Sequence, residues 1–183
     1  MRKDLQAAFT TSHLNPAQLS TFQRIILTTD GTLTEILEAY LLEKIKVVKL
    51  SEETVKTVEA ILPLAVQSGT EVIERKILLQ GKISRRNFIY AESILVPERL
   101  DENLKYGLAN SKEPMGRLWL ENKIETFKEI IDSGEEAAGS LADYFTMEPE
   151  DKLLSRTYIV YSQRQPITRI TEKFPASYFL QDF

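Results

Sequence analysis

The chain has 183 residues, 43% of them hydrophobic, with 23 basic against 27 acidic side chains and one histidine. That is enough apolar material for one sizeable core, and a net charge of -4 gives no basic surplus of the kind that nucleic acid or an anionic membrane needs. The absence of cysteine excludes disulfides, thiolate metal sites and cysteine nucleophiles, and it fits a reducing compartment.

No apolar run approaches the roughly 20 residues that cross a bilayer, and Met1 to Thr10 is too broken for a signal peptide. The expectation is a single domain over residues 1–183, cytoplasmic, with no membrane or nucleic-acid partner. In chain order, Asn15-Pro16 reads as a cap and first helical position, followed by a helix from Ala17 to Leu27 with Leu19, Phe22, Ile25 and Ile26 at helical spacing. Asp30-Gly31 breaks it, and Thr32 with Glu35 three residues on reads as a capping box for a second helix carrying Leu33, Ile36, Leu37, Tyr40 and Leu41. Ile45 to Leu50 is β-branched and suits a strand, while Ser51 to Leu62 fits helix and strand equally.

Glu71 to Leu79, a turn at Gln80-Gly81-Lys82 and a return from Phe88 to Val96 give an antiparallel hairpin. Asp101 is placed to cap a short helix up to Ala109, and Pro114-Met115-Gly116 precedes another short apolar helix over Arg117 to Leu120. Ile124 to Ile131 is strand or helix, and Glu135 to Tyr144, rich in alanine and acids, reads as helix with Gly139 as its weak point. Leu154 to Tyr161 and Pro166 to Phe174 form a second hairpin, with Pro166 at a strand start or edge. The sum is one layered α+β domain on a mainly antiparallel sheet.

Alternation along the strands singles out two residues. Arg75 shares a face with Ile73, Ile77 and Leu79, and Glu172 shares one with Thr168, Ile170 and Phe174, each the odd charge among apolar neighbours. An inward charge without a partner is costly. Arg75 and Glu172 either form a structural salt bridge with each other or stand on opposite walls of a closed pocket, the arginine gripping a ligand carboxylate by its fork and the glutamate meeting a polar group. Strand patterning does not choose between the two.

Other residues read as bland. His13, the lone histidine, gives no support to a metal site or a triad, and Asp30-Gly31-Thr32 lacks the glycines and lysine of a phosphate loop. Arg85 and Arg86 suit a solvated hairpin edge, Glu135-Glu136 a solvated helix start, and Trp119, Tyr144, Tyr158 and Tyr161 read as packing residues.

Four blocks then carry a family resemblance: Ile26-Leu27-Thr28-Thr29-Asp30-Gly31-Thr32-Leu33-Thr34, Glu74-Arg75-Lys76-Ile77-Leu78-Leu79, Glu113-Pro114-Met115-Gly116-Arg117-Leu118, and Pro166-Ile167-Thr168-Arg169-Ile170-Thr171-Glu172-Lys173-Phe174-Pro175. In this order and spacing the sequence resembles the chorismate lyase family, including its archaeal and cyanobacterial or plastid-type relatives. The resemblance implies an antiparallel sheet with helices on one side and helical flaps over an internal pocket. It implies cofactor-free and metal-free elimination of pyruvate from chorismate to give 4-hydroxybenzoate, a precursor of the quinone type. By the same resemblance Arg75 holds the ring carboxylate, the backbone at Met115 and Gly116 helps close on it, and Glu172 faces the oxygen that becomes the phenol. An isolated inward glutamate is also expected to have a raised pKa that allows it to donate, so that Glu172, protonated or hydrogen-bonded, steadies the ether oxygen as its bond breaks.

The Met115 position often carries leucine in the better-known bacterial enzymes, and the last block is one residue shorter between glutamate and proline. The same fold also serves as the effector-sensing half of some bacterial transcription regulators. Only about two dozen residues precede the first block, too few for their DNA-binding domain, which sets the lyase expectation ahead of a non-catalytic aromatic-acid sensor or a lyase giving another hydroxybenzoate.

Overall fold

The period-two pattern of the hairpins builds a six-stranded, wholly antiparallel sheet. The computed structural model describes residues 14–102, 105–106 and 115–180. Its strands are β1 Ile45–Lys56, β2 Glu71–Gly81, β3 Asn87–Leu95, β4 Phe127–Ala137, β5 Lys152–Ser162 and β6 Gln165–Pro175, in the order β1-β2-β3-β6-β5-β4. Helices α1 Thr21–Thr28, α2 Leu33–Leu41, α3 Met115–Glu121 and α4 Ala142–Phe145 complete it. The central pair is therefore β3 and β6, so β6 joins the Arg75 side of the sheet to the rest.

The first helical region divides in two. Asn15 caps only the single 3-10 turn Pro16–Gln18, accepting from the Ala17 amide at 3.1 Å, and a fresh start follows at Ser20. Ser20 and Gln23 form a reciprocal capping box, whose energy local pattern reading had assigned to Asn15-Pro16. Gln23 is fully buried, and its side-chain amide also donates to the Ala176 and Tyr178 carbonyls at 2.9 and 2.8 Å, which fastens the chain end to α1. Phe22 stacks on Tyr40 at 3.8 Å between ring centroids, and Ile26, Leu27 and Leu37 pack into the main core with Leu79, Ile89 and Phe174.

At α2, Thr32 occupies the N-cap position but makes no side-chain capping bond, so the Thr32–Glu35 capping box is not formed. The Gly31 amide is satisfied by Thr29 Oγ1 instead, at 3.0 Å, and Thr32 is left facing a cavity.

β1 runs on through the ambiguous stretch to Lys56, with a register irregularity between Lys49 and Ser51. The helix expected over Glu135 to Tyr144 is corrected: β4 extends to Ala137, and only Gly139–Leu141 and α4 are helical. Alanine and glutamate favour a helix in isolation, but here Glu135 and Glu136 meet Lys152 and Lys173 at 3.7 and 2.6 Å across the sheet, so pairing with β5 overrides propensity.

Pro166 is the second residue of β6 and precedes the β3 ladder, which begins at Thr168, so its missing amide proton breaks no bond there. The β5–β6 turn places Gln163 and Arg164 at φ 49° and 64°, the primed geometry that matches strand twist. The helix expected after Asp101 lies largely outside the described residues, as do His13, Glu113 and Pro114; the Lys105 amide does donate to the Asp101 carbonyl at 2.9 Å.

Candidate active site

On a flat sheet, β2 and β4 would stand four strand spacings apart, about 19 Å at 4.8 Å each. Yet Arg75 of β2 and Lys128 of β4, both long side chains, line the same cavity. The cavity is lined by Arg75, Ile77 and Leu79 of β2, Ala91 and Ser93 of β3, Lys128 of β4, Tyr158 of β5 and Ile170 and Glu172 of β6. Thr32, Leu33 and Thr34 close it from the start of α2, and Met115, Gly116 and Trp119 close it from α3. It combines apolar walls with a few polar groups placed to orient a ligand.

All four residues singled out in the sequence, Arg75, Met115, Gly116 and Glu172, line this one cavity. The direct Arg75–Glu172 bridge is not formed. Arg75 is buried and has Glu52 as its ion-pair partner, Nε to Oε2 3.3 Å, reached from the neighbouring strand where the two are in register. The contact is close enough for Coulomb attraction but too poorly aligned for a hydrogen bond, and Arg75 Nε is left without one among the described residues. Burial lowers the Arg75 guanidinium from its ordinary range and Glu52 works against that, so the group holds its charge in a partly compensated state.

Glu172 instead belongs to a network that the sequence reading missed. Arg156, its register partner on β5, donates from Nε to Oε2 at 2.7 Å, and the Tyr158 hydroxyl donates to Oε1 at 3.0 Å. Arg156 is 1% exposed and also donates from Nη1 to the Thr29 carbonyl at 3.0 Å. Burial, reinforced by Glu172, pushes the Tyr158 phenol well above its ordinary value, so it keeps its proton and acts as a donor. Both oxygens of Glu172 thus receive hydrogen bonds, the setting of a carboxylate that accepts rather than of the protonated donor expected from its isolation.

Lys128 was also missed. Its ammonium donates to the Gly31 carbonyl at 2.7 Å and lies 5.6 Å from the Tyr158 ring centroid. The turn Thr29 to Gly31 is therefore pinned by two cations from the opposite wall, which is why the first sequence block ends at the cavity. Trp119, read as a packing residue, is buried but lines the cavity with an indole Nε1 that has no hydrogen-bond partner among the described residues. No group of three or more His, Asp or Glu side chains converges to hold a metal among the described residues.

An antiparallel sheet with short helices over a polar-ended cavity defines the chorismate lyase-like fold. Solved structures bear out that class: the effector domain of PhnF from Mycobacterium smegmatis superposes with TM-score 0.63 at 13% identity, covering 81% of this chain and 90% of that one. The ligand-binding domain of a GntR-family regulator from Bordetella bronchiseptica follows at TM-score 0.57 and 16% identity, over 77% of this chain and 89% of that one. Against the longer PhnF chain, the match covers 64% of that protein.

Within the class the sequence is more specific, for the Rv2949c-like chorismate pyruvate-lyase family profile matches residues 27–181, and the chain belongs to that family. A chorismate pyruvate-lyase of Mycobacterium tuberculosis is 30% identical over 161 residues, 85% of this chain and 80% of that protein. One from Mycobacterium leprae is 29% identical over 160 residues, 85% of this chain and 75% of its own length.

Proposed function

We propose that this chain is a chorismate lyase releasing 4-hydroxybenzoate and pyruvate without a cofactor. The observation that carries the proposal is the placement of Arg75 and Glu172, from strands on different hairpins, on one cavity that Met115 and Gly116 also line. The family membership supplies the substrate.

The chemistry needs little beyond orientation. The ring carbon bearing the hydroxyl loses its hydrogen as a proton, and the neighbouring carbon–oxygen bond breaks with its electron pair going to the enolpyruvyl group. Protonation of that group at its methylene carbon gives pyruvate, and the ring becomes aromatic. No outside oxidant or reductant enters. Arg75 holds the ring carboxylate with its guanidinium fork, and Glu172, kept as an acceptor by Arg156 and Tyr158, takes a hydrogen bond from the hydroxyl that becomes the phenol. The apolar walls and α3 exclude water and strengthen both contacts.

The test is to incubate the purified chain with chorismate and no added metal, and to resolve the hydroxybenzoate isomers while quantifying pyruvate against a protein-free control. Equimolar 4-hydroxybenzoate and pyruvate support the proposal, and another isomer moves the assignment to a different product. A second reading rests on the likeness to the PhnF and GntR-family domains: a non-catalytic aromatic-acid binder. It predicts thermal stabilisation by 4-hydroxybenzoate with no turnover.

A further inference from the structure

We propose that Lys128 holds the second carboxylate of the substrate, the one that departs with pyruvate, so that the cavity selects a dianion over a monoanion. The inference rests on the chorismate lyase reading and assigns a residue to the half of the substrate that Arg75 and Glu172 leave unattended.

The argument starts from charge compensation. Three cations reach the cavity walls or the layer just behind them: Arg75, Arg156 and Lys128. Arg156 is matched by Glu172 at 2.7 Å, and Arg75 is partly matched by Glu52 at 3.3 Å. Lys128 has no carboxylate within ion-pair distance among the described residues, and its one hydrogen bond goes to a neutral carbonyl, that of Gly31. Glu172 and Asp30 are both near enough to favour its charge, but neither carboxylate lies at ion-pair distance from it, and both oxygens of Glu172 are engaged by Arg156 and Tyr158.

An ammonium carries three donors, and Lys128 commits one of them to Gly31, which leaves two for a ligand. Arg75 and Lys128 come from strands separated by three others yet line one cavity, so they approach it from different sides. Two under-compensated cations on two sides match a ligand with a carboxylate at each end. A point charge at the departing end also opposes the negative charge that builds on the enolpyruvyl oxygen as its bond breaks.

The bland alternative makes Lys128 a brace for the Gly31 carbonyl. Lys128→Gln separates the two, because the amide still donates to that carbonyl but carries no charge. The measurement is kcat and KM for chorismate, with the Kd of 4-hydroxybenzoate, in wild type, Lys128→Gln and Lys128→Arg. The expected result is a fall in kcat/KM of about tenfold or more in Lys128→Gln, chiefly through KM, recovery in Lys128→Arg, and a product Kd within about twofold of wild type in both. Unchanged kcat/KM in Lys128→Gln, or a product Kd weakened in parallel with it, overturns the assignment while leaving the lyase reading intact. A wild-type chain that releases no pyruvate from chorismate overturns the lyase reading and the assignment together.

Discussion

Arg156 and Glu172 face each other across β5 and β6 as register partners, their Nε and Oε2 atoms 2.7 Å apart and both side chains buried. The pair fixes what Glu172 is able to do, because a carboxylate gripped by a guanidinium accepts hydrogen bonds and does not donate them. Removing one partner strands the other charge in the interior, which typically costs about 3–5 kcal/mol. Arg156→Met should therefore lower the unfolding free energy by about that amount in urea titration. The double variant Arg156→Met with Glu172→Leu should recover most of the stability and none of the activity. A double variant that regains turnover would remove Glu172 from the chemistry.

Arg75 behaves differently, because its protein partner is weak. Glu52 is 27% exposed and misaligned, so Arg75→Ala sacrifices a loosely held contact in the free protein but the bidentate grip on the ligand. We expect chorismate turnover to be abolished while far-UV circular dichroism stays native. Arg75→Lys should keep the charge without the fork and remain at least tenfold impaired in kcat/KM. Full activity in Arg75→Ala would sink the lyase assignment.

These two residues were legible in the sequence because each interrupts an apolar face on a strand with clean alternation. Arg156 passes the same test, sitting with Leu154, Tyr158 and Val160 on one face of β5, and applying alternation to that strand would have found it. Lys128 offered no such signal. Its strand is an edge, interrupted in register between Ile130 and Asp132, with exposed Phe127 and Glu129 on either side, so its charge does not stand out. What brings it to the site is the order of the strands and the reach of its long side chain, tertiary properties that no local period encodes. The helix caps divide otherwise: Asn15 does cap, but only a single 3-10 turn, the Ser20–Gln23 box is a local pattern as legible in the sequence as the one at Thr32, and Thr32 makes no capping bond and faces the cavity.

Lys128 also makes the pH profile informative. Burial is the largest influence on its ammonium and lowers it below the ordinary 10.5; Arg156 lowers it further, while Glu172 and Asp30 oppose the fall. Of the tyrosines around the sheet, Tyr158 is raised well beyond this window and Tyr90 is pushed up to about 12, so neither confuses the reading. If the charged form binds substrate, kcat/KM falls as pH rises through the lowered value, and Lys128→Arg removes that limb. Stability runs the other way. The unfolded chain binds more protons at this lysine between the lowered value and 10.5, so unfolding free energy rises with pH across that window. Opposite slopes of stability and kcat/KM in wild type, both flattened in Lys128→Arg, are the expected result.

Gly116 tests whether α3 must seat closely on the cavity. A Cβ there would meet Thr32 Cγ2 at 2.8 Å, closer than side-chain carbons approach in folded proteins. The opposing methyl sits on a short β-branched side chain, so relief requires Thr32 to turn out of its rotamer or α3 to lift. Gly116→Ala should favour the helix itself, since alanine is the better helix former, yet cost about 1–3 kcal/mol in overpacking at the contact. Lifting α3 admits water beside Arg75 and Glu172 and should lower kcat/KM for chorismate more than it lowers the melting temperature. Thr32→Ser deletes the offending methyl and keeps the hydroxyl, so the pair Gly116→Ala with Thr32→Ser should regain the activity that Gly116→Ala loses. Failure of the pair to recover, with both proteins folded, would show that position 116 acts through its backbone toward the ligand and not through its fit against Thr32.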